Sequence, residues 1–179
     1  DQLQQHIDSL LKQAKENESI QQRCHKIELA LIASNGLSDY LYHTLVSLPA
    51  AFNLDAITLH LHDPEHFIRQ LVKAEGIPQT HLHLLRFHEC DKELHAYASG
   101  STSPLLHRYD ARRHPGLFGK QDVVSGSVAV LPLYRGDRFL GLLAFGSTDP
   151  TRYIPERATD FLQHLAAISA VCLESALNH

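Results

Sequence analysis

Histidine is the residue that first suggests chemistry in this chain, with fourteen in 179 residues. His60-x-His62 and His81-x-His83 each set two imidazoles two residues apart, and His88, Cys90 and His95 follow closely. If both pairs lay on neighbouring strands, four imidazoles could meet a zinc ion tetrahedrally. The spacing alone is weak support, because alternation puts any solvent-facing pair of a strand on one side. No HExxH, CxxC or closely paired carboxylates accompany them, so no metal site is expected. Cys90 stands beside His88 and Glu89, but neighbours in a strand point to opposite faces, so adjacency does not make a nucleophile–base pair. The chain lacks GxSxG, a Walker loop and GxGxxG, so neither a catalytic centre nor a cofactor is expected.

A second group of residues suits binding. His107-Arg108-Tyr109-Asp110-Ala111-Arg112-Arg113-His114 is locally basic within a stretch, 99–122, rich in Gly, Ser, Pro, His and Arg. Read as a long loop over a sheet, it offers Arg112 and Arg113 as forks for a carboxylate or phosphate. Arg152, just after the end of a strand, would approach the same rim. Phe118, Phe145 and Tyr153 would supply apolar walls, and Ser127, Ser147 and Asp149 polar rim groups. Two plainer readings stand beside this one. The basic loop is a solvated surface, and Gly146-Ser147-x-Asp149-Pro150 is a turn built of turn-forming residues.

The elements that would position these groups follow from periodicity. Leu3, Ile7, Leu10 and Ala14 recur at helical spacing, and after Asn17 the stripe resumes as Ile20, Cys24, Ile27 and Leu31. Residues 1–33 thus form one long amphipathic helix whose narrow stripe suits packing against a second copy, with Asn17 fixing register. The other possibility is that it folds back on its own domain. Ser34-Asn35-Gly36 ends it, Ser38 caps a second helix over 38–49, and Pro49 ends that one. Residues 55–62 alternate as a half-buried strand, with Ile57, Leu59 and Leu61 on one face and Thr58, His60 and His62 on the other. A short helix over 65–74, a strand near 81–88 and a helix over 91–98 follow. Residues 123–133 and 138–146 form a hairpin turning at Gly136-Asp137. In its second strand Phe139, Leu143 and Phe145 share one face and Leu140, Leu142 and Ala144 the other, so it is covered on both sides. A final helix over 155–177 opens with Pro155 in its first turn.

This order describes an α+β fold, an antiparallel sheet with terminal helices on one face and loops on the other, a plan shared by PAS, GAF and roadblock-type domains. The hairpin Ser125-Gly126-Ser127-Val128-Ala129-Val130-Leu131-Pro132-Leu133 and Gly141-Leu142-Leu143-Ala144-Phe145-Gly146-Ser147 resembles the closing hairpin of a GAF domain. More closely, the chain resembles a proteobacterial GAF-like family of unknown function, often encoded beside a tyrosine recombinase. Ala14-Lys15-Glu16-Asn17-Glu18, Leu117-Phe118-Gly119, Asp149-Pro150, Tyr153, Pro155 and Thr159-Asp160-Phe161-Leu162 carry that likeness over nearly the whole chain. The Cys-Gly usual in that family near the start of the long loop is missing around Ser103-Pro104, as is the Asn-Lys-Phe-Asp-Glu signature of cyclic-nucleotide GAF domains. The resemblance implies a GAF-like sheet with helices on one face behind a long N-terminal helix, and very little chemistry.

Composition bounds the rest. A domain of this length buries roughly 70% of its unfolded surface without disulfides or metal. The content is 44% hydrophobic and 20% charged, ordinary for a globular protein. A net charge of −4 argues against nucleic acid and anionic membrane as partners. Cys24, Cys90 and Cys172, without CxxC spacing, suit reduced cytoplasmic thiols. No apolar run is long enough to cross a bilayer. The start at Asp1 and the lack of any methionine suggest that part of the native N-terminus precedes this sequence. The expectation is therefore a long helix over 1–33 and a sensory domain over 34–179. It would dimerise through the helix, bind a small anion and catalyse nothing. The competing expectations are a pocketless interaction scaffold and, more distantly, a metal-dependent enzyme.

Overall fold

The computed structural model describes residues 1–119, 121, 126–153 and 160–178. The chain opens with α1 (Gln2–Ile32), capped by the Asp1 carboxylate accepting from the Leu3 amide at 3.1 Å. Gly36, at φ +85°, makes the sharp exit. The next helix starts at Gly36, earlier than Ser38. Asp39 folds back to accept from the Asn35 amide at 3.0 Å, doing the capping that Ser38 was expected to do. It also runs on past Pro49: α2 (Gly36–Tyr42) passes through a π-helical turn, His43–Ser47, into α3 (Leu48–Phe52). Proline is tolerated there because it sits in the first turn after the π segment, where its missing N–H breaks no helical bond. Asn53 in the left-handed conformation ends the run.

The remaining elements are β1 (Ala56–His62), α4 (Phe67–Glu75), α5 (Gln79–Leu82), β2 (Leu85–His88), α6 (Lys92–Tyr97), β3 (Leu105–Arg108), β4 (Ser127–Arg135), β5 (Arg138–Ser147) and α7 (Asp160–Leu177). The expected segments 123–125 and 155–159 lie outside the described residues. The five strands run in the order β2-β1-β5-β4-β3. All neighbours are antiparallel except β1 and β2, whose parallel pairing needs the crossover that α4 and α5 provide. β3 is an edge strand inside the stretch read as loop.

The sheet divides the molecule. On one face Leu59, Leu61, Leu131, Leu133, Leu143 and Phe145 meet α2, α7 and the second half of α1. The buried residues of α1 begin only at Cys24 and run through Ile27, Glu28 and Leu31, so its last turns belong to this core. Glu28 there accepts from His164 Nδ1 of α7 at 2.7 Å. Residues 1–19 of α1 are exposed throughout, an overhang of about 27 Å at 1.5 Å per residue. On the other face a smaller core of Ala56, Val128, Val130, Leu142 and Ala144 lies under Leu94, Tyr97, Leu117 and Phe118.

β1 is therefore buried on both faces, Thr58 and His60 included, rather than half-buried as its alternation suggests. Strict alternation also fails at the start of β5. Leu133 pairs with Gly141 but Tyr134 with Phe139, so Leu140 is an extra residue in the ladder. The bulge moves Phe139 to the small core and Leu140 to the large one, exchanging their expected faces. Gly141 allows it, since a Cβ there would stand 2.1 Å from the His60 carbonyl oxygen.

Candidate functional site

The face away from the terminal helices is where a ligand was expected, and its centre is a histidine. His60, 1% exposed at the middle of β1, reaches the Leu117 carbonyl oxygen through Nε2 at 2.8 Å. A carbonyl only accepts, so Nε2 carries the proton and Nδ1 presents its lone pair. His88 Nε2, 2.9 Å from that Nδ1, must then be the donor. The far nitrogen of His88 stands 3.7 Å from Glu93 Oε2, while the Tyr97 hydroxyl donates to Glu93 Oε1 at 2.6 Å and also touches the Pro115 carbonyl. Burial holds His60 down to about 4, which keeps it neutral at pH 7, and the Leu117 carbonyl selects this tautomer. Burial lowers His88 as well, and burial with the Glu93 contact pushes Tyr97 up.

A glutamine fastens the same segment. β2 covers β1 only from Leu59 onward, which leaves the N–H and C=O of Ile57 facing an open edge. Gln121 fills it, accepting from the Ile57 amide at 3.1 Å and donating to the Ile57 carbonyl at 2.9 Å. Its amide nitrogen also reaches Thr58 Oγ1 and the Phe118 carbonyl, at 3.2 and 3.1 Å. At the far side His107 of β3 stacks on His114 with ring centres 4.5 Å apart. His107 Nδ1 lies 3.1 Å from the Arg108 carbonyl and His114 Nε2 lies 3.3 Å from His107 Nε2. Burial and His107 hold His114 down to about 4. Leu117 and Phe118, 0% and 3% exposed, thus fill the space above the sheet instead of roofing it.

The expected site residues do not gather. Phe118 lies in this filled face. Arg112 is exposed on the outside of the loop, and Arg113, also exposed, donates to Ser99 Oγ at 2.5 Å. Arg152 donates to the Phe52 and Asn53 carbonyls at the end of α3, and its guanidinium lies 5.4 Å from the Tyr153 ring centre. Phe145 and Tyr153 belong to the large core on the opposite face. Ser127 donates to the Asp149 carbonyl at 2.7 Å and accepts from the Tyr153 amide at 3.0 Å. Ser147 Oγ accepts from the Asp149 amide at 3.1 Å, and Asp149 Oδ1 accepts from the Thr151 amide at 2.9 Å. Ser127, Ser147 and Asp149 therefore build the turn after β5, as the plainer reading of that segment had it.

The metal constellation also disperses. His81 lies in α5 and His83 at its end, so neither is on a strand, and the partner of His60 is His88. Among the described residues no three His, Cys, Asp or Glu side chains are grouped to hold an ion. Cys24 and Cys172 are buried, and Cys90 is exposed. Sequence reasoning missed His88 as a partner, Tyr97 and Gln121. A usable signal existed only for His88, which alternates with Arg86 on an edge strand.

Comparisons with known proteins fit this geometry. The chain matches, over residues 1–176, a family described as a protein of unknown function, DUF484. No curated protein sequence matches it. Among solved structures, the GAF domain of a phosphoenolpyruvate-protein phosphotransferase (ptsP) from Coxiella burnetii is similar. It aligns at TM-score 0.63 and 18% identity, over 89% of this chain and 95% of that one. The corresponding Acinetobacter GAF domain gives 0.58 and 15%, over 87% and 92%. Free methionine-R-sulfoxide reductase from Neisseria meningitidis, in complex with its substrate, gives 0.52 and 18%, over 87% and 88%. At these identities the likeness is one of fold.

Proposed function

The chain belongs to the DUF484 family and has a GAF-like fold, and for it we propose a non-catalytic regulatory module that acts by dimerising. The filled sheet face supports the scaffold reading over a sheet-face ligand site. Leu117, Phe118 and the His60 relay occupy the space in which a ligand would lie. One observation carries the dimer. Leu3, Ile7 and Leu10 of the overhang, 66%, 42% and 51% exposed, form an apolar stripe set about a quarter turn around the helix from the buried Cys24, Ile27 and Leu31. The inner end of α1 is thus covered by α7, while the apolar stripe of its outer end is bare. A second copy supplies the missing cover at least apolar cost, with Asn17 on the stripe setting register.

In this reading the overhang is the output, and the domain beneath anchors it through Ile27, Leu31 and the Glu28–His164 contact. Removing residues 1–19 leaves the buried turns of α1 in place. The shortened chain is expected to run as a monomer by light scattering with its melting temperature nearly unchanged. A shortened chain that remains dimeric would remove the helix from the interface. Exchanging Asn17 for Leu is expected to tighten association and loosen register.

A further inference from the structure

Among the described residues, the large apolar side chains left exposed gather on two elements. Leu3, Ile7, Leu10, Leu11, Leu29 and Ile32 lie on α1 and Val171 on α7, with Tyr42 and Phe67 the exceptions. Those of α1 share one face. Leu11 and Leu29 are eighteen residues apart, as are Ala14 and Ile32, and eighteen residues make five whole turns at 3.6 each. The bare stripe of the overhang therefore does not stop where the domain begins. It passes beside the buried Cys24, Ile27 and Leu31 and reaches the body as Leu29 and Ile32, 53% and 61% exposed. Charge respects the same division. Asp8, Lys12, Glu16, Arg23 and Lys26 fall on the other half of the helix, and among exposed residues of the stripe only Glu18 is charged.

α7 flanks this stripe on the body. Arg23 donates to the Ala51 carbonyl at 3.3 Å and Arg152 to the Asn53 carbonyl at 3.0 Å, both at the end of α3, while Glu28 meets His164 further along. α1 and α7 therefore run side by side in the same direction. Ile32 stands one turn beyond Glu28, and Val171, 45% exposed, two turns beyond His164, so both border the same seam. A long apolar face kept clear of charge needs an apolar cover of the same length. We infer that a second copy covers all of it, its α1 parallel and in register, so that the two bodies meet along α1 and α7. This rests on the dimer proposed above and extends it from the overhang to the body.

The order of residues along the stripe favours the parallel sense. In it Leu3, Ile7, Leu10 and Ala14 each meet their own copy, and the polar middle, Gln21 to His25, meets its own. An antiparallel pair overlapping from end to end would lay Leu10 across His25 and Ala14 across Gln21, setting apolar groups against groups that need water. Leu29, Ile32 and Val171 fall well short of the about 20–30 residues a side of a stable interface. The body contact therefore orients the pair, and the overhang holds it.

The test uses the whole chain with Cys90→Ser, which removes the exposed thiol. Leu10→Cys is added in one version and His25→Cys in another. Each is expected to form a disulfide with its own copy on mild oxidation, because parallel register brings like positions within reach. A mixture that links position 10 only to position 25 overturns the parallel sense. Sedimentation equilibrium reads the body contact. Ile32→Ser with Val171→Ser is expected to weaken association about tenfold or more, with the fold intact by circular dichroism. Phe67→Ser, exposed elsewhere, should leave association unchanged. An unchanged dissociation constant in the double variant, while the intact chain pairs, overturns the body contact and spares the overhang dimer. An intact chain that stays monomeric overturns both.

Discussion

The two faces of the sheet are held in different ways. On the helix side, leucines of β1, β4 and β5 interlock with α2, α7 and the inner half of α1, and burial does the work. The polar contacts there are few, such as the Tyr40 hydroxyl against Ser169 Oγ at 2.8 Å. On the loop side the strands offer small residues, Ala56, Val128, Val130 and Ala144, and the covering segment is fastened by directional bonds from His60, Gln121 and Tyr97. Burial is tolerant of pH and costly to cut anywhere. Directional bonds fail one at a time and answer to protonation. The loop side is therefore the half of the domain that can open while the other stays folded.

The comparison is sharpest where a change strikes one face only. Leu131→Ala, at a fully buried position of β4 on the helix side, is expected to cost about 2–5 kcal/mol in urea unfolding, spread over the whole domain. A cost under about 1 kcal/mol there would mean that this face is not the stabilising one.

Acid is the corresponding stroke on the loop side. Burial holds folded His60 at about 4 against 6.5 for an ordinary histidine, so between those values the unfolded chain binds more protons. Stability contributed by neutral His60 is thus complete above pH 6.5, falls as pH drops through the window, and levels below about 4. The loss is on the order of 3 kcal/mol, and His114, held down to about 4 as well, acts in the same direction. His60→Gln should flatten much of this slope in unfolding measured from pH 7 to 4. An unchanged slope would place the acid sensitivity elsewhere.

Gln121→Ala is the smallest of these effects. It strips the Ile57 amide and carbonyl of their side-chain partner, costing about 1–3 kcal/mol. Hydrogen exchange should quicken at Ile57 and leave Leu131 and Leu143 protected. Equal acceleration on both faces would show that they open together.

The legible parts of the sequence were those in which pattern and burial agree. α1 follows a helical stripe, and β4 and β5 are apolar on both faces, so their existence and pairing follow directly. β3 was illegible because it is four residues long, on an edge, and mixes Leu105 and Leu106 with His107 and Arg108 among turn formers. The continuation through Pro49 was hidden because a π turn resets where a proline can sit. Alternation in β1 shows which residues share a face but not whether that face is covered, so His60 reads as a polar surface residue. For the same reason the arginines were placed at one rim. Chain order brings Arg113 and Arg152 to neighbouring ends of strands, and only the sheet decides that they lie apart.

The central claim, that this domain works by pairing its N-terminal helices beneath a filled sheet face, is tested most directly by sedimentation equilibrium. The intact chain is compared with one carrying Leu3→Ser, Ile7→Ser and Leu10→Ser. All three positions lie on the overhang and outside both cores, so folding should be untouched. The account predicts twice the mass of one chain for the first and a single chain for the second, with equal melting temperatures. An intact chain that sediments as a monomer at tens of micromolar, or a triple variant that still pairs, would contradict it.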